Sequence, residues 1–485
     1  MTLKTKVLEG TFWVSTVSVI NQMLTFVSSI ALARLLVPDD FGAVAIAMLV
    51  INGLKILYDL GLAQALIYHK DEQNNMAPTV FFLIVLTASA LYLVVVFATP
   101  AIAHFYRMGI LGQILPIMAL AMPISALGRV PGIMLEKKLG FRKLALPETA
   151  SFLCYATVSV ALAYLGYGVW SIVWGRVLQS TVSTILLFRG SKWRPKMVFV
   201  IPEAARALKY GKDLLATSIM VFFFNYYDNA VIGKAVGQYD LGLYSAAYNL
   251  ASLPATFLMV QLNRVLFPSL TQLRHTNEPA MRNLYLEATR FAALLALPSA
   301  LGLYVLAPNI VIGLYTEKWA GAIDLLKILS IFGLMRCLGS LPGSLFQATG
   351  KQSIMPKVMA AQSIPVLIVL YPIALRTGAA GVAWTMTIAI FMSVMFSTYK
   401  AMAIIEVSVQ DLVRRLIAPV GASLAMSGVL AGLAPRMAHN MGNLMLLLVV
   451  GVIVYGTCLL LLTRGKIVGE IKSMLLPLLQ SFRRA

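Results

Sequence analysis

Few ionisable residues of this chain fall inside its long apolar stretches, and those few carry the chemical interest. An ionisable side chain at the middle of a bilayer costs about 2.5–3.5 kcal/mol on insertion scales, so one that is retained faces a cavity or a partner. Asn52, Lys55 and Asp59 follow at spacings of three and four, which puts an amide, an ammonium and a carboxylate on one helical face. Either Lys55 and Asp59 neutralise each other, or all three form a stripe facing a wet cavity. Asn225, Tyr226, Tyr227, Asp228 and Asn229 form five consecutive polar or semi-polar residues in the run FNYYDNA. They cannot all avoid lipid unless protein or water surrounds that segment. Asp228, with Asp59, is therefore a candidate for coupling to a proton or cation, the alternative being a structural hydrogen bond to a neighbouring tyrosine or amide. Tyr244, Tyr248 and Ser252 recur every four residues and lead to Gln261, Asn263 and Arg264. Such a stripe can receive sugars at one end and phosphate at the other, or can be ordinary packing that ends in a snorkelling arginine. Arg336 has no acid at helical spacing in its own segment, whereas Asp324 and Lys327, three apart, read as a local pair.

The elements that hold these residues are membrane helices. Apolar residues make up 59% of the chain and charged ones 12%, and apolar runs near the roughly 20 residues needed to cross a bilayer recur throughout. The sequence predicts crossings at 11–36, 41–64, 77–103, 110–134, 145–165, 168–188, 214–236, 241–267, 291–315, 322–348, 354–375, 381–404, 416–435 and 443–463. The expected fold is thus all-α and polytopic, with about 14 transmembrane helices. It comprises a six-helix lobe over 1–196, a cytoplasmic linker over 197–213, a second six-helix lobe over 214–405, and two further helices with a cytoplasmic tail over 406–485.

The two lobes are copies. Arg34, Asp40, Gly42 and Ala47 reappear as Lys234, Asp240, Gly242 and Ala247, and LGRVPG at 127–132 reappears as LGSLPG at 338–343. Six crossings per copy, an even number, bring both copies in from the same side and allow a site to form between them. Asp40 and Asp240 stand where a carboxylate can accept hydrogen bonds from the first free amides of a helix. Pro131 and Pro342 are expected to break or kink their helices near the inner surface.

A net charge of +20 raises the question of nucleic acid, but the basic residues sit in alternate short loops and not on one soluble face. Arg107, Lys318, Arg376 and Arg436 are the ones in the opposite set of loops, an asymmetry that puts both termini in the cytoplasm. The linker, with Pro202 at a helix start and Glu203 beside its positive end, reads as interfacial. The tail GEIKSMLLPLLQSFRRA reads as a surface-lying amphipathic segment. Cys154, Cys337 and Cys458 are isolated within apolar segments, implying neither disulfide nor metal, and no cofactor motif such as GxxxxGK[ST] occurs. The absence of any large loop argues against an enzyme with an extramembrane catalytic domain.

The opening GTFWVSTVSVINQMLTFVSSIALARLLVPDDFGAVAIA and the stretch GLYSAAYNLASLPATFLMVQLNRVLFPSL resemble the polysaccharide-transporter (Wzx-type) flippases of the multidrug/oligosaccharidyl-lipid/polysaccharide superfamily, over roughly residues 5–405. The resemblance implies two six-helix lobes around a cavity opened alternately to each side. It implies a substrate of oligosaccharide on undecaprenyl pyrophosphate, moved from the cytoplasmic to the periplasmic leaflet of a bacterial inner membrane for exopolysaccharide or lipopolysaccharide synthesis. Membrane lipids, a polysaccharide polymerase and the export machinery are the partners it implies, with no nucleic acid. Carried onto this chain, it makes Lys55, Arg264 and Arg336 the phosphate candidates, with Asn52, Tyr244, Tyr248 and Asn225 as further substrate contacts. Two readings stay open within the superfamily. The extra helix pair occurs in the lipid II flippase branch. A multidrug or cation antiporter would need buried acids, yet bases outnumber acids in the crossings.

Overall fold

The computed structural model describes residues 3–59, 61–68, 75–138, 140–274 and 276–465, with side chains described from residue 17 onward except at 141–142, 212–214, 216–217, 256–261 and 264–265. Loop residues 69–74 and the C-terminal tail from Lys466 lie outside the described residues, so the amphipathic reading of that tail does too. The chain forms two compact units, Met1–Gly242 and Leu243–Ala485.

The first unit contains α1 (Leu3–Leu35), α2 (Pro38–Asp59), α3 (Leu62–Tyr68), α4 (Met76–Tyr106), α5 (Leu111–Ala119), α6 (Ala121–Lys137), α7 (Phe141–Tyr164), α8 (Trp170–Ser191) and α9 (Ile201–Ala235). The crossing expected at 110–134 is interrupted at Leu120, where Pro123 cannot donate to the carbonyl of Ala119. Pro131, expected to break or kink its helix, lies inside α6, which continues for six residues beyond it. From Ile201 the expected linker is already the opening of α9, with Pro202 in its first turn and Glu203 ion-paired to Arg206 at 3.1 Å. Because α9 packs on α2, α3 and α4, this compact unit runs past the lobe boundary expected at 196.

The matched glycines of the repeat mark a close approach. A Cβ on Gly42 would overlap the carbonyl oxygen of Gln238, and one on Gly242 would overlap that of Pro38. Gln238 is the repeat equivalent of Pro38, so each copy's glycine receives the other copy's backbone at the same position. The Gln238 amide donates to the carbonyl of Asp39 at 2.8 Å across this crossing. Asp40 helps form the turn, its carboxylate accepting the Val37 N–H at 3.2 Å.

The helix α10 (Gln238–Arg274) leads into the second unit, followed by α11 (Glu278–Val305), α12 (Ala307–Ile310), a π turn at Val311–Tyr315, α13 (Ala322–Ala348), α14 (Ile354–Ile405), α15 (Val409–Leu433) and α16 (Met441–Leu462). Pro342 lies inside α13 as Pro131 lies inside α6. The two crossings expected at 354–375 and 381–404 are joined in α14 across Gly378, whose φ of 66° only glycine adopts without strain. Asp324 and Lys327 pair at 2.9 Å, as their spacing indicated. The last two helices dock on α11. Pro298 leaves the carbonyl of Leu294 without its helical donor, and the Tyr455 hydroxyl of α16 donates to it at 2.7 Å.

Ten helices among the described residues are long and apolar enough to cross a membrane, α14 counting as one. The expected crossings in α9, α10 and α13 are helical but fall outside those ten, and these helices bear Asp228, Arg264 and Arg336.

Candidate functional site

On α2 the three side chains of the expected stripe go to different partners. The Asn52 amide donates to the Tyr226 hydroxyl of α9 at 3.2 Å. Asp59 does not pair with Lys55. It accepts two hydrogen bonds from Arg129 of α6, from Nε at 3.2 Å and from Nη2 at 3.0 Å. A planar guanidinium satisfies both carboxylate oxygens at once, which a single ammonium cannot do. Asp59 is thereby engaged in a salt bridge with Arg129 and does not pair with Lys55. Lys55 is exposed, makes no ion pair among the described residues, and feels both Arg129 and Asp59 electrostatically.

Of the polar run of α9, Asp228 is buried and Asn225, Tyr226, Tyr227 and Asn229 are half-buried. Asp228 is 2% exposed and its carboxylate accepts the backbone N–H of Asn229 at 2.8 Å. Tyr226 stacks near Phe222, with ring centroids 4.9 Å apart, and accepts from Asn52. Asn225, expected to meet substrate, donates its amide to the Val221 carbonyl of its own helix at 2.7 Å. On α1, the buried amide of Asn21 has no hydrogen-bond partner among the described residues.

In the second unit the tyrosine stripe meets a cation, and that cation is Arg336 of α13. Its Nη1 donates to the Tyr248 hydroxyl, and its guanidinium carbon lies 5.9 Å from the Tyr248 ring centroid. Tyr248 is flanked by Phe332 at 5.6 Å and by Tyr244 at 6.1 Å. Tyr244, expected as a substrate contact, is fully buried, so it supports Tyr248 and offers no surface of its own. Arg336 has no carboxylate partner among the described residues. The side chain of Arg264 lies outside the described residues, while Asn263 nearby accepts from Ser344 at 3.0 Å.

One cation was underweighted by spacing alone. Arg176 of α8 lies over the Tyr155 ring of α7 at 4.4 Å, donates to Gln179 at 3.1 Å, and keeps a buried Nε without a partner among the described residues. Each unit therefore holds an arginine set against a tyrosine ring with no carboxylate partner among the described residues. Cation–π contact orients a guanidinium but leaves its donors open to an anion. Among the described residues no three His, Cys, Asp or Glu side chains gather to hold a metal ion.

Residues 31–324 match the model of a family described as polysaccharide biosynthesis protein. The chain is 30% identical over 309 residues to the succinoglycan biosynthesis transport protein ExoT of Rhizobium meliloti, covering 64% of this chain and 62% of that protein. It is 27% identical over 356 residues to the lipopolysaccharide biosynthesis protein WzxC of Escherichia coli, covering 73% and 72%. The fold is similar to that of the lipid II flippase MurJ in an inward closed conformation, with a TM-score of 0.74 at 16% identity over 93% of this chain and 99% of that one. An inward-facing multidrug resistance MATE transporter is more distant in fold, with a TM-score of 0.59 at 15% identity over 81% and 94%.

Proposed function

The chain belongs to the polysaccharide biosynthesis protein family, and from that premise we propose that it is a flippase, not an enzyme, for oligosaccharide repeat units carried on undecaprenyl pyrophosphate. It moves them by alternating access from the cytoplasmic to the periplasmic leaflet of a bacterial inner membrane, with both termini cytoplasmic and its product passed to a polymerase and export machinery. The observation that carries this reading is the set of intramembrane cations with no carboxylate partner among the described residues: Lys55, Arg176 and Arg336. A pyrophosphate bearing sugars cannot cross hydrocarbon unaided, whereas its polyprenyl tail is at ease there. The protein has to supply charge and hydrogen bonds along a wet path, and no bond is made or broken. Names of relatives such as ExoT and WzxC support the polysaccharide cargo.

Depleting the protein should make a lipid-linked oligosaccharide accumulate in the cytoplasmic leaflet. Accumulation of lipid II instead would transfer the chain to the other flippase branch, and unchanged lipid-linked sugars with increased drug sensitivity would favour an antiporter. The salt bridge of Asp59 with Arg129 takes one intramembrane acid away from a cationic cargo and leaves Asp228.

Asp228 is the remaining candidate for coupling. Its burial in one state and hydration in another would make proton or cation affinity state-dependent, which is what coupling requires. Asp228→Asn should slow flipping in reconstituted vesicles and weaken its dependence on a proton or sodium gradient. Undiminished gradient dependence would leave Asp228 with a structural role only.

A further inference from the structure

We propose that the cleft where α11 begins and α14 gives way to α15 binds the phosphate of an anionic phospholipid headgroup. The cleft has a volume of about 410 Å³ and is lined by Arg282, Asn283, Glu406, Asp411, Arg414 and Arg415, among others. It lies beyond the apolar parts of three membrane-crossing helices, which places it at headgroup level whichever side of the membrane it faces. Its volume falls within the roughly 300–1,000 Å³ of small-ligand clefts.

Both acids of the lining are already engaged. Glu406 accepts from Arg282 at 2.8 Å. Asp411 accepts from the Ser408 hydroxyl at 2.8 Å, and its backbone N–H donates to the same hydroxyl at the N-terminus of α15. Arg415 donates to Glu287 behind the cleft and to Asn283 at 2.8 Å. Arg414 is exposed and makes no hydrogen bond or ion pair among the described residues. The three lining arginines are offset by three acids, Glu406 on Arg282, Glu287 on Arg415 and the hydroxyl-bound Asp411, and Arg414 is the lining arginine that no carboxylate holds among the described residues.

The apolar half of the ligand is specified by the same helix. Val413, Ile417, Val420 and Leu424 are all exposed, at spacings of four, three and four, and form one stripe running from Arg414 into the membrane. A phosphate held at Arg414 lets its acyl chains descend along that stripe. Basic pockets at the ends of membrane helices attract anionic headgroups for the same electrostatic reason, each basic side chain being worth about a fivefold gain.

The test is native mass spectrometry of the purified full chain titrated with dioleoyl phosphatidylglycerol or dioleoyl phosphatidylcholine. Retention of phosphatidylglycerol should exceed that of phosphatidylcholine by about fivefold or more. Arg414→Gln should bring it close to the phosphatidylcholine level and Arg414→Glu below the Gln variant. Arg436→Glu, the same charge reversal at the far end of α15, should leave the preference intact. Because Arg414 makes no described contact, these variants should fold, which the melting temperature checks. Equal preference in wild type and Arg414→Gln would overturn the proposal. So would a cleft that inorganic phosphate stabilises through Arg414 while phosphatidylglycerol shows no advantage, since the site would then serve a soluble anion. These outcomes do not depend on whether the protein flips sugars.

Discussion

An Arg336→Glu variant should reach the membrane in normal amount and export no polysaccharide. The guanidinium rests on Tyr248 and has no carboxylate partner among the described residues, so its removal breaks no salt bridge and leaves no orphaned acid. Folding should lose little more than the hydrogen bond to the Tyr248 hydroxyl, about 1.5–3 kcal/mol for a bond to a charged group. Transport should lose far more. A charge-assisted contact to pyrophosphate is replaced by repulsion, and each 1.4 kcal/mol is about tenfold in binding. A graded series separates charge from shape. Arg336→Lys should retain partial export, because it keeps a point charge without the planar fork. Tyr248→Phe should fall between wild type and Arg336→Glu, because it keeps the ring under the cation but lets the guanidinium rotate. Export and membrane abundance measured side by side decide the matter. Normal export by Arg336→Glu at normal abundance would remove Arg336 from the substrate path.

How much of this was legible in the sequence depended on whether the controlling interaction was local. Most crossings were legible because hydropathy over about 20 residues dominates, but those expected at 214–236, 241–267 and 322–348 are helices outside the ten long apolar ones, and the break inside α14 was implied by the gap between 375 and 381, though only the positive φ of Gly378 shows how it is made. The repeat flagged Gly42 and Gly242, yet nothing in one strand of text says that each glycine receives the backbone of the other copy. Tyr244 and Tyr248 look alike at four-residue spacing, but packing buries the first and gives Arg336 to the second. Asn225 and Asn52 were both read as facing a cavity. One turns back on its own helix and the other bonds across to α9. The largest misreading concerned Asp59, whose spacing left open a pair with Lys55 or a stripe facing a cavity, whereas its partner is Arg129, seventy positions away. Side-chain partners chosen by tertiary contact leave no periodicity to read.

That misreading has a functional consequence at Lys55. In the native protein Asp59 is held by Arg129, and Lys55, four residues before it on the same helix, makes no ion pair among the described residues. Arg129→Ala would release Asp59, and a carboxylate in a medium of low dielectric takes the nearest cation. The i, i+4 pair with Lys55 would then be available, although with the less favourable order of charges on a helix. Export by Arg129→Ala should fall about tenfold or more if Lys55 contacts pyrophosphate, since its charge would be spent within the protein. Membrane abundance and melting temperature report the stability cost, because Asp59 loses a two-point partner where the Arg129 side chain is 34% exposed and that of Asp59 21%. The decisive variant is the double one. Arg129→Ala with Asp59→Ala removes both partners, frees Lys55 again, and should recover most of the export that the single variant loses. Structural damage alone predicts the reverse order, with the double variant no better than the single. A double-mutant cycle on export rates, normalised to membrane abundance, separates the two. If Arg129→Ala exports normally, or if the double variant stays as impaired as the single one, Lys55 is not the cation that the salt bridge protects.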